Sequence, residues 1–172
     1  MELKTILTVA HLFGVAIGAG GAWTGDFLFF KSIKDKKIQR VEMNLLSGAS
    51  KLVWVGLAIL ILSGIGLFLL SPERLINSPK FLAKMTIVSV LTVNGLVFHF
   101  KHKKSLEKSI YNTPSIVVSG VVSATSWASA LILGALRPVP LAYMEIMFVY
   151  VAIVAGGVAF AFLFRNKLFF GR

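Results

Sequence analysis

The sequence predicts an all-α integral membrane protein: a bundle of five transmembrane helices with the N-terminus outside and the C-terminus in the cytoplasm. Of its 172 residues, 56% are apolar and 15% are charged, and the mean hydropathy is +0.83. Soluble domains have roughly 45–50% apolar and about 25% charged residues. The length suits a single domain over residues 1–172 and leaves no room for a separate soluble domain.

Five apolar runs have the length of a membrane span. A hydrocarbon core of about 30 Å requires about 20 apolar residues in helical conformation. All prolines of the chain fall between these runs, where a missing backbone N–H is harmless. We also expect residues 38–50 to extend the second helix into the cytoplasm as an amphipathic turn or two. The predicted spans are 5–30, 52–70, 81–100, 115–136 and 143–164.

The basic residues predict the orientation. The loops at 31–51 and 101–108 and the C-terminal tail carry thirteen Lys and Arg residues, whereas the opposite side carries four. Because short basic loops remain cytoplasmic, we predict a multi-pass protein of the cytoplasmic (inner) membrane. The net charge of +11 then indicates a bilayer with anionic lipid, and no nucleic acid, as the partner. A homo-oligomer is compatible with this composition.

The first span also has some features of a cleavable signal peptide, namely a charged start, an apolar run and the small residues GAGGA. However, the run contains His11, lacks a clear A-x-A site and continues through WTGDFLFF to a basic flank. We therefore expect it to be retained as a transmembrane helix.

Two ionisable residues fall at the same predicted depth. At 1.5 Å per residue, His11 of the first span and Lys84 of the third both lie in the outer half of the membrane, so they can meet. Such residues are costly inside a membrane unless they are paired or hydrated. The alternative for Lys84 is to extend outward beside Lys80. His11 lies about two turns deep, where packing gives no reason for an imidazole.

A secondary polar layer is predicted near the inner side, where Asp26, Asn94 and His99 share a level. These three residues are candidates for a proton or metal relay. A structural explanation exists for two of them, because His99 can lie among the lipid headgroups and Asp26 can pair with Lys31 at the interface.

A small-residue face runs along the first span from His11 through Gly14 and Gly18. Such a face permits either close helix packing or a flat ligand that lies against the backbone. Close packing is the more common use, whereas a histidine at the head of the face favours a planar cofactor.

Three segments resemble a known family. The first span, LKTILTVAHLFGVAIGAGGAWTGDFLFFKSI, resembles the opening of the HemJ-type protoporphyrinogen oxidases. The third span, FLAKMTIVSVLTVNG, has a lysine at its fourth position and resembles the corresponding helix of that family. Between them, KLVWVGLAILILSGIGLFL is similar to the second span of the broader group, which includes CopD-like membrane proteins. The likeness covers residues 2–104, and spans four and five have no counterpart in it.

The resemblance implies a b-type haem in the membrane, with His11 and Lys84 as the key residues. A neutral imidazole can bind the haem iron through one ring nitrogen. Lys84 would either occupy the opposite face as a neutral amine or pair, as an ammonium, with a porphyrin propionate. The resemblance supports haem binding better than it supports protoporphyrinogen oxidation, because no further match identifies the substrate.

Three function classes follow from these observations. The first is a haem-b redox protein or oxidoreductase that acts on a porphyrin, a quinone or an electron-transfer partner. The second is a small proton or metal transporter built on Asp26, Asn94 and His99. The third is an accessory membrane subunit without a cofactor. The absence of cysteine excludes thiolate chemistry, iron–sulfur clusters and covalent c-type haem, and it weakens a copper role.

Overall fold

The structure is a computed structural model that describes residues 2–32, 39–102, 114–136 and 140–163. These ranges contain helices and no strand, and five of the helices have the length and hydropathy to cross a membrane, which confirms the predicted class. A short helix, α3 (Pro72–Ile76), lies in the predicted loop 71–80. The five long helices are α1 (Leu3–Ser32), α2 (Arg40–Leu69), α4 (Pro79–Val97), α5 (Pro114–Ala135) and α6 (Tyr143–Leu163).

The predicted extension of the second helix is present from Arg40 onward, whereas residue 38 lies outside the described ranges. Gln39 precedes the helix in extended conformation, and its backbone N–H donates to the carboxylate of Glu42 over 2.9 Å. This bond satisfies one donor that has no partner within the helix. The additional turns carry α2 well beyond the 52–70 span.

Helix α4 begins with a capping serine and a proline, and it ends in a π-helical turn. Ser78 accepts a hydrogen bond from the backbone N–H of Phe81, and Pro79 occupies the first turn, where proline costs no hydrogen bond. At the other end, α4 continues into a π-helical turn over Phe98–His102. This turn departs from the α-helical spacing of side chains after Val97.

The helices pack in two groups that share α5. Helix α1 runs along α2 and touches α5, while α4 packs against α5 and α6. Between α2 and α4 the bundle is open, and two cavities lie there. The outward side chains are largely apolar, as lipid contact requires; Phe148, for example, is 77% exposed.

The core is centred on Trp127 of α5, whose side chain is fully buried. Side chains from α1, α2 and α4 surround it, so this cluster joins the two groups of helices. A second cluster joins α4, α5 and α6 around Ile87 and Tyr150. The other buried members of the Trp127 cluster are Ala19, Ala22, Leu57, Leu60, Val88 and Leu91.

Candidate functional site

The first cavity, which we call the His11 cavity, has a volume of about 650 Å³. Helices α2, α3 and α4 form most of its wall, and His11 is the residue that α1 contributes. This volume lies within the range typical of small-molecule and cofactor sites. The lining is apolar apart from His11, Ser89 and Thr92.

The orientation of His11 is determined by a serine on the neighbouring helix. The imidazole Nδ1 lies 3.0 Å from the hydroxyl oxygen of Ser63, which is buried. That hydroxyl donates its single hydrogen to its own helix, 2.6 Å from the carbonyl of Ile59. With the hydroxyl hydrogen assigned to that carbonyl, Ser63 accepts from His11, and we assign the ring proton to Nδ1 on this basis. Nε2 is therefore the nitrogen with a free lone pair.

Lys84 lies on α4 at the edge of this site rather than in the cavity wall. Its ammonium is close enough to His11 for the two groups to interact electrostatically, as the shared depth predicts. The Nζ atom approaches α5 at Gly134, where an added Cβ atom would lie 3.9 Å away. Within the described part of the chain, Lys84 Nζ has no hydrogen bond. The neighbouring Lys80, by contrast, donates to the carbonyl of Leu136 over 2.6 Å.

Gly14 and Gly18 lie against other helices and not along the His11 cavity. A Cβ atom at Gly14 would come 2.8 Å from the backbone nitrogen of Leu60, and one at Gly18 would overlap the Trp127 ring. From the opposite side, a Cβ atom at Gly56 of α2 would overlap the backbone of Gly18. Close helix approach, one of the two predicted uses of the small-residue face, is thus what these glycines provide in the structure.

The second cavity, which we call the Asp26 cavity, lies at the other end of the opening between α2 and α4 and has a volume of about 370 Å³. Asp26, Asn94 and His99 all line it, so the structure brings the predicted secondary polar layer together around one space. Helices α1, α2, α4 and α5 and the π-helical turn all contribute to its wall.

The side chain of Asn94 forms two hydrogen bonds between helices. Its side-chain Nδ2 donates to the carbonyl of Ser119 over 2.9 Å, and its Oδ1 accepts from the Ser119 hydroxyl at 3.0 Å. This pair of hydrogen bonds joins α4 to α5 at the wall of the Asp26 cavity. Asn94 therefore stabilises the contact between α4 and α5, in addition to any role in binding a ligand.

Asp26 and His99 have different surroundings within this cavity. Asp26 is partly buried beside α5, where an added Cβ atom at Gly120 would lie 3.6 Å from Oδ1. Among the described residues it forms no hydrogen bond and no ion pair, so the predicted pairing with Lys31 is not formed there. The ring of His99 is exposed and lies edge-to-face on Trp54, with centroids 6.3 Å apart.

Sequence reasoning missed Ser63 and the role of Trp127. A signal for Ser63 exists, because it is the one hydroxyl in the apolar run of span two and lies at the depth of His11 when that span is read in the opposite direction. Trp127 packs in one cluster with residues that line each of the two cavities, and its buried indole N–H has no hydrogen-bond partner among the described residues. The burial of Trp127 results from packing between helices, and no local sequence pattern predicts it.

Within the part of the chain that the structure describes, no group of three or more His, Cys, Asp or Glu side chains is arranged to hold a metal ion. Comparisons of the chain with protein-family models, with curated proteins and with solved structures find no match.

Proposed function

We propose that this multi-pass membrane protein binds one b-type haem in the His11 cavity, with the Nε2 atom of His11 as the protein ligand to the iron. The haem would serve redox chemistry with a porphyrin, a quinone or an electron-transfer partner. The observation that carries the proposal is the hydrogen bond between His11 Nδ1 and Ser63, which leaves Nε2 as an electron-pair donor.

Three features of the site suit this group. A haem needs a single protein ligand, since the porphyrin supplies four nitrogens. The lack of a multi-residue metal cluster among the described residues is therefore compatible with a haem. Metal-binding histidines usually donate their second ring N–H to a fixed acceptor, which is the role of Ser63 here. The apolar lining and the volume of about 650 Å³ suit a large, flat and mostly apolar ligand.

Lys84 is assigned to the porphyrin carboxylates rather than to the iron. The residues of α4 that line the cavity include Phe81, Met85 and Val88, whereas Lys84 projects from the adjacent face toward Gly134. An ammonium with no hydrogen bond among the described residues, at the edge of an apolar site, is suited to a propionate. A bound haem would supply a one-electron carrier, and the apolar side chains would keep water away from it.

We further propose the orientation that the basic residues favour, with the N-terminus outside and the protein in the cytoplasmic membrane. In that orientation, the His11 cavity lies in the outer half of the bilayer and the Asp26 cavity faces the cytoplasm. The charge distribution of the loops supports this arrangement.

The two alternative functions receive less support. A metal transporter based on Asp26, Asn94 and His99 would need ligands for the ion. The amide of Asn94 is bound to Ser119, and the described residues lack a metal-binding cluster. An accessory subunit without a cofactor gives no reason for the paired His11 and Ser63 beside a cavity of this size.

The proposal is tested by the absorption spectrum of the purified protein before and after reduction with dithionite. We expect a Soret band and visible haem bands that shift on reduction. His11→Ala should abolish or greatly weaken these bands, whereas His99→Ala, which removes a histidine from the other cavity, should leave them unchanged. A colourless protein that also fails to take up added haemin would contradict the proposal.

A further inference from the structure

The Asp26 cavity contains an acidic group for which the described residues provide no partner. The carboxylate of Asp26 is partly buried on α1, and among the described residues neither a basic side chain nor a hydrogen-bond donor engages it. A carboxylate in this setting is costly to bury, and a ligand that brings a positive charge or N–H donors would offset that cost.

Three of the four serine hydroxyl groups that line this cavity also lack a hydrogen-bond partner among the described residues; the fourth, on Ser119, donates to Asn94. Elsewhere in the bundle, serines such as Ser63 and Ser126 donate to carbonyl oxygens of their own helix. Ser47, Ser50 and Ser123 line the Asp26 cavity and form no such bond within the described ranges. Each of these hydroxyls is free to accept a hydrogen bond from a ligand.

The remaining wall suits an apolar or aromatic body. Trp54 and His99 lie edge-to-face there, and an indole is the aromatic group that attracts cations most strongly. Among the described lining residues Asp26 is the one carboxylate, and Lys51 is the one cation. Because Lys51 is exposed, its charge is screened by solvent more than the charge of Asp26.

We infer that the Asp26 cavity is a binding site for a small amphipathic amine, whose protonated nitrogen contacts the carboxylate of Asp26 and whose apolar or aromatic body lies among Trp54 and the neighbouring apolar side chains. The volume of about 370 Å³ limits the ligand to a small molecule. This site and the His11 cavity share no described lining residue, so the inference does not depend on haem binding.

Isothermal titration calorimetry of the full-length protein tests the inference. The protein would be held in nanodiscs of phosphatidylcholine, a lipid with no net charge. Empty nanodiscs would serve as the reference for partitioning of the probe into lipid. The probe is 2-phenylethylamine, and its uncharged analogue 2-phenylethanol has nearly the same shape. We expect saturable binding of the amine and at least about tenfold weaker binding of the alcohol, because the alcohol lacks the charge that Asp26 requires.

Two variants locate the binding. Asp26→Asn should weaken amine binding by about tenfold or more, while Glu73→Gln, which changes an exposed carboxylate on α3, should leave it unaltered. Gly120→Val keeps Asp26 but adds methyl groups beside its carboxylate, and it should weaken binding as well. Thermal unfolding of each variant confirms that the bundle is intact.

Three results would overturn the inference. They are the absence of saturable amine binding, equal affinity for the amine and the alcohol, and unchanged amine affinity in a folded Asp26→Asn protein. None of these measurements requires haem, so a failure here and a failure of the proposed haem site are distinguishable.

Discussion

The Nδ1 atom of His11 on α1 lies 3.0 Å from the hydroxyl of Ser63 on α2. This contact connects the two most extensively packed helices of the bundle at the wall of the His11 cavity. Because Ser63 also donates to the carbonyl of Ile59, one hydroxyl sets both the tautomer and the direction of the imidazole. A histidine held in this way is prepared to bind through Nε2.

The first prediction concerns this contact. Ser63→Ala removes the acceptor for the Nδ1 proton, and we expect haem affinity to fall by about 10- to 100-fold while the iron ligand stays in place. Haemin titration followed at the Soret band measures the change. Ser89→Ala is the matched control, because Ser89 also lines the cavity but donates to Met85 and not to His11. Equal losses in the two variants would show that Ser63 has no special role.

The second prediction concerns the contact between α1 and α2. A Cβ atom at Gly56 would overlap the backbone of Gly18, so Gly56→Ala should destabilise the bundle by about 1–3 kcal/mol. A Cβ atom at Gly48, on the same helix, would meet nothing within 4 Å. Gly48→Ala should therefore stabilise the protein, by about 0.5–1 kcal/mol. Unfolding in detergent compares the two, and a Gly56→Ala protein as stable as the wild type would contradict the observed packing.

The third prediction concerns the polar link between α4 and α5. A double-mutant cycle of Asn94→Ala and Ser119→Ala should give a coupling energy of about 0.6 kcal/mol and at most about 1.7 kcal/mol, as found for hydrogen bonds between membrane helices. The control cycle pairs Asn94→Ala with Ser129→Ala, since Ser129 has no bond to Asn94. Additive effects in both cycles would show that the bond from the Ser119 hydroxyl to Asn94 does not contribute to the link between these helices.

The fourth prediction concerns topology. The chain lacks cysteine, so single cysteines introduced for labelling have no background. Ser105→Cys should be protected from a membrane-impermeant maleimide in intact cells and labelled after the membrane is permeabilised. Asn77→Cys, between α3 and α4, should be labelled from outside. Labelling of residue 105 in intact cells would reverse the proposed orientation.

The membrane helices were predictable because their signal is local. A run of about 20 apolar residues predicts a membrane-spanning helix, and prolines and basic loops mark its ends. Helix α2 begins at Arg40, twelve residues before the predicted second span, 52–70. The extension over 38–50 was predicted separately, from its amphipathic pattern and not from hydropathy.

The sequence indicates which residues belong to the site but not how they are arranged. Depth along the helices indicates that His11 and Lys84 can meet, and the structure has them within electrostatic reach. Depth carries no information about the direction in which a side chain points, so it could not reveal that Lys84 lies outside the cavity wall or that Ser63 holds His11. The rotation of each helix is set by packing, here by glycines against Trp127 and Gly56.

The most direct test of the account is chemical rescue of the iron ligand. His11→Gly removes the imidazole and leaves space beside Ser63, and haemin would be titrated into this variant with and without added imidazole. We predict that the variant binds haemin weakly, and that imidazole restores the affinity and a spectrum like that of the wild type. The same spectrum in His11→Gly without imidazole, or no haemin binding by the wild type, would contradict the account.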